Sequence, residues 1–372
     1  MKVLFAAGGT AGHINPALAA ASYLKNNYEN VEILFIGTAD HMESKLVPQA
    51  GFDFKTIEIS GFRRSFAPKA IVHNVKTVLK IFKSSAESKK IIKEFKPDVA
   101  VGFGGYVSGP VLQTASKLGV PTCIHEQNAF PGITNKTLAK RADAVMLTVE
   151  DAAKHMEIKN KLEITGLPVR GEILKAGREE SRIALGIADD KPLVLSFGGS
   201  LGAKPVNDAM QGVILDHSKS NPCHHIHATG ANGSYMIENL KRNGFDFLNK
   251  YIDIREYIND MDVCLAAADL VVGRAGASSL SEIEAMGKAS VLIPSPYVAE
   301  NHQFHNAMAL VNRNAAEIIE EKDLTTERLL EVIDRLIQNP EKLHEMGENA
   351  KSLAVFDSAE KICKIIASLA EK

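Results

Sequence analysis

The sequence has few cysteines and almost no net charge. The first property argues against a disulfide- or metal-stabilised scaffold, and the second against binding of nucleic acid through bulk positive charge. Its four cysteines have neither metal-cluster nor disulfide-scaffold spacing, which predicts reduced, mostly buried thiols in a cytosolic protein; they are Cys123, Cys223, Cys264 and Cys363. A formal net charge of −2 at pH 7 argues against a nucleic-acid partner held by bulk positive charge.

Long hydrophobic runs are also missing. No apolar stretch approaches the ~20 residues of a membrane-spanning helix. The first residues show neither the basic segment nor the apolar core of a signal peptide. We therefore expect a soluble protein, or one attached only to a membrane face. Its 372 residues are enough for two domains.

Glycine, by contrast, stands where strands are predicted to end. Residues 2–7 predict a buried strand, and Asn15 and Pro16 predict a helix start with Asn15 as N-cap. Between them lies the glycine-rich turn 8–12. Such a junction directs unpaired backbone N–H groups and the positive end of a helix dipole toward a ligand, which suits phosphate or sugar oxygens.

Strand patterns alternate with helical stretches along the chain, which predicts parallel sheets covered on both faces. The second half begins like the first, with a strand that opens onto a glycine loop at 198–203. We therefore predict an α/β fold with two doubly wound Rossmann-like domains, 1–167 and 168–354, facing each other across a cleft. The predicted strands are 2–7, 31–37, 55–60, 98–103, 121–126, 144–148, 192–197, 224–229, 252–256, 270–273 and 290–293.

The C-terminal residues 355–372 predict an amphipathic helix. Its apolar stripe must pack on one of the two domains, with the first domain as the candidate. The stripe consists of Ile362, Ile365, Ile366 and Leu369.

Glycine spacing narrows the choice of ligand. A dinucleotide-binding loop has the pattern G-x-G-x-x-G and an acid near the end of the second strand. Gly8, Gly9 and Gly12 miss that spacing, and the second strand ends at Gly37-Thr38. No G-x-x-x-x-G-K-[ST] phosphate loop occurs either. Two glycine loops on two domains suit a donor that carries its own diphosphate.

The segment 269–306 contains polar groups for such a donor. We place Glu282 in the first turn of a helix that starts near Ser278, where a carboxylate can accept two ribose hydroxyls or simply stabilise the helix. A proline-stiffened loop then leads to side chains that suit sugar hydroxyls or form an ordinary polar loop: Asn301, His302, Gln303 and Asn306.

Taken together, seven blocks resemble the MurG family of glycosyltransferases. They are GGTAGHINPALA (8–19), GFGGYVSGP (102–110), HEQNAFPGITN (125–135), TGLPVR (165–170), GGSLGA (198–203), RAGASSLSEI (274–283) and HQFHNA (302–307). The resemblance implies a GT-B enzyme that adds N-acetylglucosamine (GlcNAc) from UDP-GlcNAc to lipid I, giving lipid II for peptidoglycan synthesis. It implies no metal or other cofactor, and a position at the cytoplasmic face of the cell membrane.

The resemblance also implies roles for individual residues. Thr10, Ala11 and Gly12 would approach the donor sugar and diphosphate, and Asn128 would reach a sugar hydroxyl. The remaining donor contacts would be Arg170 and Ser200 on the phosphates, the backbone of Ile258 on uracil, Glu282 on the ribose and Gln303 on GlcNAc. The pair His302-Gln303 replaces the two glutamines of some members, which leaves the share of contacts within the pair open.

An inverting transfer needs a base for the acceptor hydroxyl. His13, in the first glycine turn, is the candidate, with His125 and Glu126 as rivals. Two patterns that could suggest a metal do not alter the expectation of none. Asp260-Met-Asp262 is interpreted as solvated acids, and strand alternation within 223–227 separates His224 from His225 and His227.

Residues 62–93 combine phenylalanines, arginines and lysines, with apolar positions at helical spacing around Ile71–Lys83. This pattern is typical of a basic amphipathic surface for anionic lipid, although an ordinary core-packing helix gives the same stripe. The functional alternatives are another GT-B lipid glycosyltransferase, a UDP-GlcNAc epimerase, and a non-catalytic regulator that binds the nucleotide sugar.

Overall fold

The structure is a computed structural model that describes residues 1–59 and 68–372, and the side chains of all of these except 68–79, 81 and 82. The chain forms two compact units. Unit 1 comprises Met1–Pro168 together with Asp357–Lys372, and unit 2 comprises Val169–Phe356.

Unit 1 is built around a parallel sheet whose inner strands are continuous apolar runs, as expected for a sheet covered on both faces. Its strands are β1 (Lys2–Ala7), β2 (Glu32–Gly37), β3 (Asp53–Thr56), β4 (Val99–Gly104), β5 (Thr122–Glu126), β6 (Ala144–Leu147) and β7 (Lys161–Ile164). Its first helices are α1 (Ala11–Asn27), α2 (Glu43–Gln49), α3 (Pro68–Phe95), α4 (Ser108–Lys117) and α5 (Ile133–Ala139), followed by a short 3-10 helix at Glu150–His155.

Unit 2 repeats this plan with a second parallel sheet. Its strands are β8 (Leu193–Phe197), β9 (His224–Ala228), β10 (Ile252–Arg255), β11 (Leu270–Gly273), β12 (Ala289–Leu292) and β13 (Ala316–Ile318). Its helices are α6 (Gly171–Lys175), α7 (Arg178–Ala184), α8 (Lys204–His217), α9 (Ser234–Arg242), α10 (Met261–Ala267), α11 (Ala277–Ala285), α12 (His302–Val311), α13 (Thr326–Ile337) and α14 (Pro340–Lys351), with 3-10 helices at Ala299–Asn301 and Glu321–Asp323. The last helix of the chain, α15 (Ser358–Ala370), belongs to unit 1.

Strand order follows one rule in both sheets. The first sheet has the order β3-β2-β1-β4-β5-β6-β7, and the second has β10-β9-β8-β11-β12-β13. In each, the chain winds outward in one direction and then returns to the centre to wind in the other, which is the doubly wound Rossmann-like arrangement. The predicted fold class is therefore confirmed.

The predicted strands are confirmed to within a few residues, and the strand predicted at 55–60 is the edge strand β3. Two further edge strands, β7 and β13, were missed. All four residues of β7 are exposed, and β13 is three residues long. A polar edge strand lacks the buried apolar run from which the others were predicted.

The predicted start of α1 was wrong. Asn15 is not the N-cap, because α1 already begins at Ala11, with Thr10 as N-cap and Pro16 inside the helix. Gly9 adopts φ +90° and Thr10 is extended, so the helix begins five residues earlier than Pro16 indicated. The Thr10 carbonyl then accepts from the N–H groups of His13 and Ile14.

The C-terminal helix completes the core of unit 1. Ile362, Ile365, Ile366 and Leu369 are all buried, as their spacing predicted, and pack with residues of α1, β1 and β4. The Cys363 Sγ atom lies 3.3 Å from the carbonyl oxygen of Ala20 in α1. The last 16 residues therefore close a hydrophobic core that begins with the first strand.

Among the helices that the structure describes, none is both long and apolar enough to cross a lipid bilayer. The sequence pattern assigned to membrane contact around Ile71–Lys83 lies mainly on side chains outside the described residues. Lys80 and Lys83 are described, and both form ion pairs with Glu58.

We expect Ile366→Ala to destabilise unit 1 by about 2–5 kcal/mol, because it removes a fully buried side chain and leaves a cavity. Urea unfolding monitored by hydrogen exchange of the β1 and α1 amides measures this loss. Ile183→Ala, at a position 77% exposed in unit 2, is the control and should change stability by less than about 0.5 kcal/mol. Equal effects of the two substitutions would contradict a core role for α15.

Candidate functional site

Both sheets have a topological switch point, where ligands bind in doubly wound folds. In unit 1 it lies between β1 and β4, and in unit 2 between β8 and β11. The glycine turns found in the sequence follow the carboxyl ends of these strands. Five of the predicted site residues belong to unit 1 and five to unit 2.

His13 lies in the first turn of α1, beside the end of β4. Its Nδ1 atom is 2.8 Å from Oε1 of Gln127, and the ring is partly exposed. Gly104 has φ +102°, and a Cβ atom there would come within 2.8 Å of the His13 Nδ1 atom. A Cβ on Gly105, at φ +79°, would overlap the carbonyl oxygen of Gly8. The two glycines therefore let the loop after β4 pack against both His13 and the turn after β1.

Thr10, Ala11 and Gly12 form the N-terminus of the 17-residue helix α1. The first N–H groups of a helix have no intrahelical acceptor and carry partial positive charge. Thr10 and Gly12 are exposed and Ala11 is partly exposed. This end of α1 can therefore donate hydrogen bonds to an anionic or sugar ligand.

A buried carboxylate, Glu43, holds the glycine turn in place and was missed by the sequence analysis. Its Oε2 atom accepts from the Gly9 N–H at 3.1 Å, and its Oε1 atom accepts from the backbone N–H and the hydroxyl of Thr38 at 3.0 and 2.7 Å. A Cβ on Gly8 would lie 2.6 Å from the Glu43 Oε1 atom. Glu43 follows the second strand by several residues, so only the fold reveals that its side chain turns inward.

The two rival bases are enclosed by the protein. His125 is fully buried, its Nε2 atom lies 2.9 Å from the Gly166 carbonyl oxygen, and burial lowers its pKa to about 4. Glu126 is 2% exposed and accepts from Asn128 and Asn135 at 2.8–3.1 Å. Asn128 is thus braced at the end of β5 by the carboxylate of Glu126. Neither rival is placed to contact a solvent-borne substrate.

In unit 2, the predicted donor residues also follow strand ends. Ser200 is exposed in the loop after β8, and its carbonyl accepts from the Ala231 N–H at 3.1 Å. Ile258 is 4% exposed in the loop after β10. Gln303, in the first turn of α12, accepts through Oε1 from the Ser295 N–H at 2.9 Å, which anchors the loop after β12.

Arg170 and Glu282 contact each other directly. The Arg170 Nε atom lies 2.9 Å from Oε1 of Glu282, whose side chain is 17% exposed. Burial raises the pKa of Glu282, and the neighbouring Arg170 guanidinium opposes that rise. The predicted position of Glu282 was wrong: α11 begins at Ala277, so Glu282 lies in its second turn, where the helix dipole stabilises it less.

The neighbour of Gln303 has a different environment. The Nδ1 atom of His302 lies 2.8 Å from the carbonyl oxygen of Ala299. Glu300 and Asn301, just before it, both have positive φ, of 55° and 50°. The approach to α12 is thus a tight turn that is closed by the imidazole of His302.

A buried cluster of His217, Cys223 and His225 joins α8 to the start of β9, and the sequence analysis did not foresee His217 in it. The His217 Nε2–H group donates to Asp334 at 2.9 Å, so its Nδ1 atom accepts from Nε2 of His225 at 2.8 Å. A metal on Nε2 of His225 would require a proton on Nδ1, which is buried without a partner among the described residues. The cluster is accounted for by hydrogen bonds.

Comparisons with known proteins identify a glycosyltransferase family. Residues 3–147 match the glycosyltransferase family 28 N-terminal domain, and residues 193–362 match the family 28 C-terminal domain. The relative from Acetivibrio thermocellus is 45% identical over 98% of this chain and 97% of its own length. That from Halalkalibacterium halodurans is 42% identical over the whole of both chains. Both are named UDP-N-acetylglucosamine–N-acetylmuramyl-(pentapeptide) pyrophosphoryl-undecaprenol N-acetylglucosamine transferase.

The chain belongs to the MurG family. The resemblance found in the sequence blocks is therefore confirmed, and the protein is a glycosyltransferase. A crystal structure of MurG from Acinetobacter baumannii matches 99% of both chains with a TM-score of 0.80 at 29% identity. The S. aureus MnaA structure with UDP matches all of this chain and 98% of its own at a TM-score of 0.68. That structure is 14% identical, so it supports the fold alone.

We expect Glu43→Gln to destabilise unit 1 by about 1–3 kcal/mol. The substitution replaces one carboxylate oxygen by an amide nitrogen, which cannot accept a hydrogen bond, so the donor of Gly9 or those of Thr38 lose their acceptor. Thermal or urea unfolding measures the loss. Glu94→Gln, at an exposed position of α3, is the matched control and should be close to neutral. A Glu43→Gln protein as stable as wild type would show that the turn does not depend on this carboxylate.

Proposed function

We propose that this protein transfers GlcNAc from UDP-GlcNAc to the C4 hydroxyl of the muramyl sugar of undecaprenyl-pyrophosphoryl-MurNAc-pentapeptide (lipid I), with inversion at the anomeric carbon. The observation that supports it most is the full-length identity of 42–45% to relatives named for this transfer. The product would be lipid II, a precursor of peptidoglycan.

We assign donor binding to unit 2. An exposed serine in a glycine loop and a guanidinium can hold phosphate oxygens, which is the role proposed for Ser200 and Arg170. The ion pair between Arg170 and Glu282 supports binding of one ligand by both side chains. A nucleotide sugar offers a diphosphate to Arg170 and ribose hydroxyls to Glu282. The backbone of Ile258 and the amide of Gln303 would complete the site, on uracil and GlcNAc respectively.

We assign the base to His13. Its partly exposed ring stands at the N-terminus of α1, whereas both rival bases are enclosed. The Nε2 atom would take the proton of the acceptor hydroxyl as that oxygen forms its bond to the anomeric carbon. As this bond forms, the bond from the anomeric carbon to the donor phosphate oxygen breaks, and UDP leaves with the electron pair. The N–H groups at Thr10–Gly12 would donate hydrogen bonds to oxygens of the donor. Asn128 would position a sugar hydroxyl.

One experiment separates this proposal from its alternatives. The protein is incubated with labelled UDP-GlcNAc, with and without a short-chain lipid I analogue. Acceptor-dependent release of UDP with a labelled disaccharide product supports the transfer. A changed sugar without acceptor would indicate an epimerase, binding without turnover would indicate a regulator, and transfer only to another lipid would indicate a different lipid glycosyltransferase.

We expect His13→Ala to lower kcat by about 10²–10⁴-fold, the usual contribution of a general base, while the Kd for UDP-GlcNAc stays within about threefold. Steady-state transfer assays and calorimetric titration measure the two quantities. His41→Ala, an exposed histidine of the same unit, is the control. If the loss of affinity matched the loss of rate, His13 would be a binding residue and another group would act as base.

We further propose that the protein works at the cytoplasmic face of the membrane, held there by the basic amphipathic segment around Ile71–Lys83. Its acceptor carries an undecaprenyl chain, and the lysines of the segment suit anionic headgroups. Glu58 accepts from Lys80 at 3.2 Å and also pairs with Lys83, and these two lysines lower its pKa. Part of the positive charge is therefore already neutralised, and Lys76 is a further basic position in the segment.

Reversing the charge at Lys76, Lys80 and Lys83 to glutamate should reduce flotation with anionic vesicles about tenfold or more, because each basic residue near the surface contributes about 1 kcal/mol. Reversal of Lys89, Lys90 and Lys93, which are exposed further along α3, changes net charge equally and serves as control. Equal flotation of the two triple variants would contradict the assignment of membrane contact to the first segment.

A further inference from the structure

A buried glutamine stands directly behind His13. Gln127 is 2% exposed, and its Oε1 atom lies 2.8 Å from the His13 Nδ1 atom. Its Nε2 atom lies 3.1 Å from both the Nδ1 atom and the carbonyl oxygen of His125. His125 in turn contacts the carbonyl oxygen of Gly166 through Nε2, at 2.9 Å. These contacts link the proposed base to Gly166, near the end of the segment Met1–Pro168 of unit 1.

Hydrogen-bonding chemistry fixes the orientation of the Gln127 amide. The carbonyl of His125 can only accept, so the amide atom 3.1 Å away must be the donor, Nε2. The reversed amide would place Oε1 against that carbonyl oxygen with no hydrogen between them. The oxygen of Gln127 must therefore face His13.

The protons on both imidazoles follow from this orientation. His125 accepts from Gln127 at Nδ1, so its own proton is on Nε2, where the Gly166 carbonyl accepts it. An amide oxygen cannot donate, so the Nδ1 atom of His13 must carry a proton to make its 2.8 Å contact. The neutral His13 ring then has its lone pair on Nε2, which is the atom a general base needs.

We propose that Gln127 is a positioning residue that sets the tautomer and orientation of His13, with His125 and the Gly166 carbonyl holding Gln127 in turn. The expected effect on catalysis rests on the proposed transfer reaction, whereas the tautomer of His13 and its dependence on Gln127 do not. When Nε2 takes the acceptor proton, the Nδ1–H group keeps its bond to Gln127, so the charged ring does not need to reorient.

The surroundings keep this arrangement rigid. The His125 ring stacks on Phe103 with centroids 5.2 Å apart and an interplanar angle of 20°. Gly104 leaves room for the His13 imidazole, because a Cβ atom at position 104 would lie 2.8 Å from its Nδ1 atom. Gln127 and His125 thus have little freedom to rotate, which is what an orienting partner for a base requires.

Nitrogen NMR of the full-length protein labelled with ¹⁵N-histidine tests the structural content without any substrate. The His13 signals are assigned by their loss in His13→Asn, at a pH where the ring is neutral. We expect a protonated Nδ1 and an unprotonated Nε2 in the wild type. In Gln127→Met, which keeps the length of the side chain but lacks the amide, the proton should be shared between the two nitrogens.

Kinetics test the consequence. We expect Gln127→Met to lower kcat about 10–100-fold while the KM for UDP-GlcNAc changes less than about threefold, because the base is misaligned but donor contacts remain. Gln113→Met, at an exposed glutamine of α4, is the matched control and should leave both values unchanged.

A wild-type His13 with its proton on Nε2 would overturn the inference, and this measurement requires no variant to fold. An unchanged tautomer and unchanged kcat in Gln127→Met would overturn it as well. Failure of the proposed function has a different signature: the Nδ1–H tautomer and its dependence on Gln127 are then observed in a protein that transfers no GlcNAc to lipid I.

Discussion

The close approach of two strand-end loops is the constraint on which the candidate site in unit 1 depends. A doubly wound sheet brings the loops after β1 and β4 together at its centre. Here they meet so tightly that Gly104 and Gly105 have no room for side chains against His13 and Gly8. Glu43 closes the same region from the side of β2 by satisfying the donors of Gly9 and Thr38. The position of His13 therefore follows from backbone packing as much as from its own contacts.

In unit 2, glycines likewise allow the loops at the strand ends to approach each other closely. Gly202, at φ +79°, packs against the backbone of Thr229, and Gly273 lies where a Cβ would come within 2.8 Å of the Phe197 carbonyl oxygen. The two units differ in what they place beside these contacts. Unit 1 presents a helix N-terminus with an imidazole supported by neutral, buried partners. Unit 2 presents an exposed arginine paired with a largely buried glutamate. The first arrangement suits proton transfer, and the second suits a charged, hydroxyl-rich ligand.

Much of this could be predicted from the sequence because the signals are local. Apolar runs located the inner strands, and glycines marked the turns after β1, β4 and β8. The misplaced features concern where helices begin and which side chains are buried. Pro16 indicated a helix start, but the turn at Gly9 and Thr10 decided it. Glu282 lies in the second turn of α11 and not in the first, because that helix already begins at Ala277. His125 and Glu126 were rivals to His13 as the base in the sequence, and both are buried in the structure.

The sequence by itself determined the fold class, the family and the residue types available for chemistry, because periodicity and motif order survive without coordinates. Only the tertiary structure decided which polar side chains face a ligand and which serve the protein. Glu43, Glu126 and Gln127 are as polar as any site residue, yet each is buried against donors or acceptors of the protein itself. The physical reason is that a buried polar group needs its partners close by, and those partners are brought together only when the sheet forms.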